Sequence, residues 1–140
     1  MQLLATCNGR TKRTYGGILV VAAILIIAGC SKTGPDLAPV VGRVTLDGQP
    51  IVSTDVTFEP DGMKSPSVGR TDKDGRYVLG YKRGVEGAII GMHTVRISTV
   101  TRITGGPQLV PARYNTASEL RREVKSGNNT FDFELSALSK

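Results

Sequence analysis

The sequence contains few residues of the types that carry most protein chemistry. Its 140 residues include two cysteines, one histidine and no tryptophan. One histidine cannot build a zinc site without cysteine ligands. The chain also lacks the G-x-S-x-G, P-loop and dinucleotide-binding patterns. These absences argue against a metal hydrolase or a nucleotide-using enzyme, and we expect no catalytic residue, no metal and no cofactor.

Long apolar runs are also missing. The longest, from Ile18 to Ala28, has eleven residues. As a helix it would reach about 17 Å, whereas the hydrocarbon core of a bilayer is about 30 Å thick. Basic residues precede the run and small residues end it, the order of a secretory signal peptide over residues 1–29. The alternative is a buried core helix or an uncleaved anchor in which Cys30 is an ordinary thiol.

The tetrapeptide Ile27-Ala28-Gly29-Cys30 resembles the lipobox of bacterial lipoproteins, with Ile27 where leucine is commonest. The resemblance implies cleavage between Gly29 and Cys30 and lipidation of the Cys30 sulfur. Buried acyl chains contribute about 0.8 kcal/mol per CH₂, so two or three chains give stable anchoring. Membrane lipid is therefore the first expected partner.

Removal of this leader changes both the cysteine count and the charge. Cys7 is discarded and Cys30 carries lipid, so no cysteine remains for a disulfide or a metal cluster. Fifteen basic and twelve acidic residues remain, so the net charge falls from +6 to about +3. This small excess and the export signal argue against nucleic acid as a partner.

Residues 30–39 form the predicted lipidated linker, rich in glycine, proline and polar residues. Ser31 follows the cysteine instead of the aspartate that, by resemblance to sorting in enterobacterial lipoproteins, favours inner-membrane retention. We therefore expect a protein anchored in the bacterial cell envelope, in the outer membrane rather than the inner one, facing the periplasm or the exterior.

Residues 40–140 form the predicted exported domain. Apolar and polar residues alternate in short runs between turn residues, as in "VVGRVTL", "DVTFEP" and "MHTVRISTV". No long run shows the 3.6-residue period of a helix. The pattern predicts an all-β fold, a seven-stranded antiparallel β-sandwich following the signal helix. It also predicts hairpins at "TDKDG" and at Ser126-Gly127-Asn128, and irregular structure from Thr101 to Glu119.

The segments "GRVTLDGQPI", "GRTDKDGRYVL" and "GMHTVRI" resemble the carboxypeptidase regulatory-like domain of the transthyretin-like (prealbumin-like) sandwiches. The ending "VPARYNTASEL" resembles that of small lipoproteins with this domain in planctomycete-type bacteria. The matching positions describe turns and core alternation, and they are Gly42, Val44, Gly48, Pro50, Thr71, Asp74, Gly75, Tyr77, Gly91, His93 and Val95. The resemblance therefore implies fold more directly than function.

A non-catalytic binding or structural module that contacts an envelope protein or a polysaccharide is the expected function. Arg113, Tyr114 and Asn115 form the candidate binding loop, although packing of that loop on the sandwich edge explains them equally well. The alternative function is an envelope hydrolase or transport component, or an accessory subunit of one. The related hydroxyisourate hydrolases require several histidines and a Tyr-Arg-Gly-Ser ending that this sequence lacks.

Two further motifs have a structural and a functional interpretation. His93 shares the parity of Val95 and Ile97, so we expect a partly buried imidazole in the place of a tyrosine. Asp72 and Asp74 resemble the start of a calcium loop, but Arg83 occupies the position that needs a bidentate glutamate. Turn formation explains both aspartates better.

Overall fold

The structure is a computed structural model and describes residues 34–62, 64–99 and 106–137. The predicted signal peptide, the cleavage site at Gly29 and Cys30, and the first part of the linker lie outside these residues. Helical structure in the described part is limited to two 3-10 turns, Lys82–Gly84 and Ala112–Tyr114, and neither could cross a bilayer.

Short strands make up nearly all the regular structure of the described residues. Eleven are present there: β1 (Leu37–Ala38), β2 (Val40–Leu46), β3 (Gln49–Pro50), β4 (Asp55–Pro60), β5 (Ser67–Arg70), β6 (Arg76–Val78), β7 (Ala88–Ile89), β8 (Gly91–Ser98), β9 (Arg121–Val124), β10 (Asn129–Thr130) and β11 (Phe133–Leu135).

The first sheet is built around β2. β10 and β11 pair with it in parallel, and β3 and β6 pair with it in the antiparallel sense. Asn129 is in register with Val40 and Phe133 with Val44, so the two parallel strands keep one register along β2. The side chains of the first sheet therefore alternate between core and solvent in step with β2.

The second sheet has the order β5-β4-β8-β9 and is antiparallel throughout. A separate two-stranded pair joins β1 to β7. Along β8, His93, Val95 and Ile97 are buried and the residues between them are partly exposed. This alternation follows from the two-residue period of a strand and confirms the predicted inward face of β8.

The core lies between the two sheets. Phe58 on β4 meets Phe131 and Phe133, with ring centroids 5.8 and 6.3 Å apart. Both sheets contribute to one cluster of buried side chains: Ala38, Val40, Val44, Ile51, Val56, Phe58, Tyr77, Leu79, Ala88, Val95, Ile97, Val110, Val124, Phe133 and Leu135. Because each sheet buries one face against the other, the architecture is a β-sandwich.

The all-β prediction is confirmed, but its strand arrangement differs in the structure. The predicted seven strands are divided into eleven short ones, and β2 has parallel as well as antiparallel neighbours. The hairpin predicted at Ser126-Gly127-Asn128 does not form, because β9 pairs with β8 in one sheet and β10 pairs with β2 in the other. The turn therefore carries the chain between the sheets, which alternation alone cannot reveal.

The hairpin predicted at "TDKDG" forms in part. The chain turns there through a 2.8 Å hydrogen bond from the Asp72 amide to the Arg76 oxygen, and an antiparallel bridge joins Val68 to Gly80. The main pairing partners of the two strands are different, however, because β5 pairs with β4 and β6 pairs with β2. This segment closes one side of the sandwich.

The end of the predicted linker is part of the fold. Leu37 and Ala38 form β1 opposite β7, and Ala38 is buried in the core. The backbone oxygen of Asp36 also accepts a hydrogen bond of 3.0 Å from the Ile90 amide. The chain is therefore fixed to the domain before Val40.

Candidate functional site

The candidate loop residues Arg113, Tyr114 and Asn115 lie at the second 3-10 turn and are bound to the rest of the domain. The Arg113 guanidinium donates to the backbone oxygen of Ser136 and lies over the Tyr114 ring, with its central carbon 4.7 Å from the ring centroid. Tyr114 packs against the hydrophobic core. The Asn115 carbonyl accepts a 2.6 Å hydrogen bond from Arg96. These contacts fit the packing interpretation.

The charged groups around this turn interact with neighbouring groups of the same domain. A hydrogen bond from Arg113 lowers the pKa of Tyr114 below its ordinary value, and a second hydrogen bond from the Ser136 amide lowers it further. Arg96 also forms an ion pair with Glu59, with 2.8 Å between Nε and Oε2. A binding site at Arg113, Tyr114 and Asn115 stays a prediction, and a ligand there would compete with these internal contacts.

His93 is buried between the sheets. Its Nδ1 lies 3.0 Å from the carbonyl oxygen of Gly91, its ring is 5.7 Å from that of Phe58, and its Nε2 has no hydrogen-bond partner among the residues that the structure describes. Burial lowers the pKa of His93, although the Gly91 carbonyl opposes this shift. The imidazole is therefore neutral near pH 7, with Nδ1 as the donor.

Asp72 organises a turn. One of its carboxylate oxygens accepts 2.9 Å hydrogen bonds from the amides of Asp74 and Arg76. The bond from Arg76 makes the largest contribution to lowering the pKa of Asp72. The turn interpretation accounts for both aspartates, and no cluster of three acidic, histidine or cysteine side chains occurs among residues 34–62, 64–99 and 106–137.

A cleft lies on the solvent face of the first sheet, where sequence reasoning placed no site. Five of the residues that line it are Val41, Arg43, Arg76, Val78 and Asp132, and its volume is about 450 Å³. We call it the arginine–valine cleft. Val41 and Val78 are 40% and 52% exposed.

The pairing of β2 with β6 creates the two halves of this cleft. Val41 is directly opposite Val78, and Arg43 is directly opposite Arg76. Directly opposite side chains on one face of a sheet have Cβ atoms about 5 Å apart. The face therefore presents an apolar pair followed, two residues along β2, by a pair of guanidinium groups.

The electrostatics of the arginine pair are unbalanced. Arg43 donates from Nε to the backbone oxygen of Asp74 at 2.9 Å, and no ion pair involves either guanidinium in the part of the chain that the structure describes. One oxygen of Asp132 accepts the Arg43 backbone amide at 2.8 Å. Like charges directly opposite each other destabilise a sheet. An anion placed between them would remove that penalty.

A smaller cleft of about 110 Å³ continues the surface beyond Arg43 and Asp132. Thr45 and Glu134, which are in register on β2 and β11, lie in its lining. The solvent face of the sheet is thus basic over β2 and β6 and acidic over β11.

One feature of the sequence indicates part of this cleft. In "VVGRVTL", the buried positions are Val40 and Val44, which leaves Val41 on the outward parity beside Arg43. Which strand lies next to β2 is decided by the fold, so the pairing of the two arginines was not readable from the sequence.

Comparison with known proteins adds little to this geometry. No protein-family model matches the chain, and no curated protein matches it. A DUF3823 family protein from Parabacteroides merdae is similar in structure, with 19% sequence identity and a TM-score of 0.46. The match covers 73% of this chain and 47% of that protein, so this chain spans about half the length of its structural neighbour.

Proposed function

We propose that this protein is a lipid-anchored lipoprotein of the bacterial envelope whose exported domain, a transthyretin-like sandwich of the carboxypeptidase regulatory-like type, is a non-catalytic binding module. The arginine–valine cleft is the observation that carries the binding role. Its partner in this proposal is an envelope protein or a polysaccharide.

Sequence features support the anchor. The basic segment, the eleven-residue apolar run and the Ile27-Ala28-Gly29-Cys30 tetrapeptide occur in the order of a lipoprotein leader. The domain then begins at Leu37, only a few residues after Cys30. A lipidated Cys30 would therefore hold the domain close to the membrane surface.

The positions shared with the carboxypeptidase regulatory-like pattern support the finer fold assignment. Val44 and Tyr77 are buried in the core, and Gly75 has a φ of +74° in the turn that precedes β6. An added Cβ at Gly75 would also lie 2.5 Å from the Val44 carbonyl oxygen, which explains a glycine at that position. The structural roles of these three residues support the proposed assignment.

The chemistry of the cleft supports binding rather than catalysis. A guanidinium group stays protonated in proteins and cannot act as an acid or base. Burial, and to a smaller extent the charge of Asp132, raises the pKa of the neighbouring Tyr77, so its hydroxyl stays neutral. Its proton is also committed to the Phe131 carbonyl. These groups can hold an anion but are poorly suited to moving a proton.

Metabolic labelling tests the anchor. The full-length chain, expressed in a bacterial host and labelled with radioactive palmitate, should carry label and sediment with membranes. Cys30→Ser should carry no label, whereas the matched variant Cys7→Ser should label normally. Equal labelling of Cys30→Ser and the unchanged chain would refute the anchor.

Crosslinking in intact envelopes tests the binding role. A photoreactive residue at Val78 should give a discrete crosslinked product, and the same residue at exposed Val52 should not. If the product were an envelope hydrolase or transporter, the accessory-subunit alternative would replace the independent module. Identical patterns from both positions would contradict a binding role for the cleft.

A further inference from the structure

The fold uses the arginine pair of the cleft only in part: Arg43 donates to the backbone oxygen of Asp74, and the charge of Arg76 helps to lower the pKa of Asp72. The Arg76 guanidinium makes no hydrogen bond or ion pair in the described part of the chain, yet it lies beside a second guanidinium at Arg43. Two like charges at a cross-strand position reduce the stability of the sheet, and neither guanidinium forms an ion pair among the described residues. Such a pair is explained when it binds an anion, since guanidinium groups bind carboxylates in a bidentate geometry.

The neighbouring valines define the second half of the ligand. Val41 and Val78 form an aliphatic pair, and no aromatic side chain is exposed beside them in the lining of the cleft. An aliphatic surface of this size accepts a branched apolar side chain. A sugar ring usually stacks on an exposed aromatic side chain, and this cleft offers none. The apolar half therefore favours an aliphatic group over a sugar ring.

The spacing of the two halves matches an extended peptide. Residues two apart on β2 are separated by about 6.8 Å, which is also the distance between alternate side chains of an extended ligand strand. A peptide lying along β2 would place one side chain on the valines and the next side chain of the same face on the arginines. The required pattern is an apolar residue, any residue and then an acidic residue.

The acidic edge of the sheet fixes where the carboxylate can bind. Asp132 precedes Phe133, which pairs with Val44, so it lies beside Arg43 on the side away from Arg76. Glu134 lies farther along that edge, beside Thr45. An acidic side chain is therefore attracted toward β6 and repelled from β11, and Arg76 becomes its main partner.

We propose that the arginine–valine cleft binds an extended segment of an envelope protein with the pattern apolar-x-acidic, held by Arg43 and Arg76 at its carboxylate and by Val41 and Val78 at its apolar side chain. This inference rests on the proposed binding function and names its ligand. Anchoring through Cys30 is independent of it.

Fluorescence anisotropy with defined probes tests the inference on the full-length chain reconstituted in phosphatidylcholine nanodiscs. The probe is a fluorescein-labelled peptide of glycine and serine that contains one Ile-Ser-Asp motif. A peptide with Ile-Ser-Lys and a peptide with Ile-Ser-Ser-Asp test charge and spacing. Unlabelled oligogalacturonate and anionic phospholipid vesicles are used as competitors.

Arg76→Glu should weaken binding of the Ile-Ser-Asp peptide at least tenfold and improve binding of the Ile-Ser-Lys peptide. Arg83→Glu, the same change at an exposed arginine outside the cleft, should alter neither affinity more than twofold. Val78→Ser should weaken binding of the Ile-Ser-Asp peptide without changing the preference for aspartate. We expect the Arg76→Glu variant to fold, because the Arg76 guanidinium makes no hydrogen bond or ion pair with the described residues, and circular dichroism of the variant checks this.

Three results would overturn the inference. Equal affinity for the aspartate and lysine peptides would show that the arginines do not select the ligand's charge. Equal affinity of Arg76→Glu and the unchanged chain would show that the peptide does not bind in the cleft. Tighter, Arg76-dependent binding of oligogalacturonate or vesicles would keep an anion-binding module but replace the peptide with a glycan or a lipid surface. A failed peptide test with normal palmitate labelling leaves the anchored lipoprotein intact.

Discussion

The hydroxyl of Tyr77 donates a 2.7 Å hydrogen bond to the carbonyl oxygen of Phe131, and this bond connects β6 to the segment between β10 and β11 across the central strand. The bond passes beneath Gly42, which is in register with Tyr77. A side chain at Gly42 would occupy the same space, because its Cβ would lie 1.9 Å from the Phe131 oxygen and 2.9 Å from the Tyr77 hydroxyl. The parallel pairing of the C-terminal strand therefore depends on a glycine and a tyrosine together.

Tyr77→Phe should lower the free energy of unfolding by about 1 to 2 kcal/mol, because the Phe131 carbonyl loses its donor in a partly buried setting. Urea titration of the full-length chain measures the change. Tyr81→Phe is the control and should change stability by less than about 0.5 kcal/mol, since that hydroxyl makes no hydrogen bond with the described part of the chain. Equal effects of the two variants would show that the bond contributes nothing specific.

Gly42→Ala should be more damaging and lower the free energy of unfolding by at least about 2 kcal/mol, because its Cβ meets backbone atoms that cannot move away cheaply. Gly80→Ala is a matched control just after β6, where the nearest atom to an added Cβ is the Val68 oxygen at 3.7 Å. Comparable stability of the two variants in the same titration would contradict the close approach of Phe131 to β2.

Stability should depend on pH through His93. Burial lowers the pKa of His93 in the folded chain, while the unfolded chain keeps the ordinary value of about 6.5. Below pH 6.5 the unfolded state thus binds more protons, so stability is complete above that pH and falls as the pH decreases toward the folded pKa. One site can contribute at most about 1.4 kcal/mol per pH unit.

His93→Phe should fold, since Nε2 has no partner among the described residues and the bond that is lost runs only from Nδ1 to the Gly91 carbonyl, and it should flatten this dependence because phenylalanine does not titrate. The measurement is the free energy of unfolding of both chains between pH 5.5 and 7.5. Every other titratable group is the same in both chains, so the difference between them reports on His93. An unchanged pH dependence in the variant would assign the effect to other groups. Loss of a ligand-binding activity at full stability would give His93 a functional role.

Arg113→Met should lower the free energy of unfolding by about 1 to 3 kcal/mol, because it removes a charge-assisted hydrogen bond to the Ser136 carbonyl and the contact with the Tyr114 ring. Lys73→Met is the control. The Lys73 side chain is 88% exposed, so this substitution should hardly change the free energy of unfolding. If Arg113→Met were as stable as the control yet lost binding of an envelope partner, the loop would be the binding site.

The sequence alone determined the all-β class, the buried parity of β8 and the chemistry of the turns. These features depend on neighbouring residues: the two-residue period of a strand fixes which side chains share a face, and Asp72 organises its turn through amides two and four residues away. The leader and Cys30 were read in the same way and stay predictions.

Only the tertiary structure decided which strands lie side by side. Alternation states that Val41 and Arg43 face outward, but it contains no information about the strand that places Val78 and Arg76 opposite them. The parallel return of the C-terminal strand depends on contacts such as the one between Tyr77 and Phe131, which are far apart in sequence. The cleft exists because strand pairing is a long-range choice, set by how two complete sheets bury their apolar faces together.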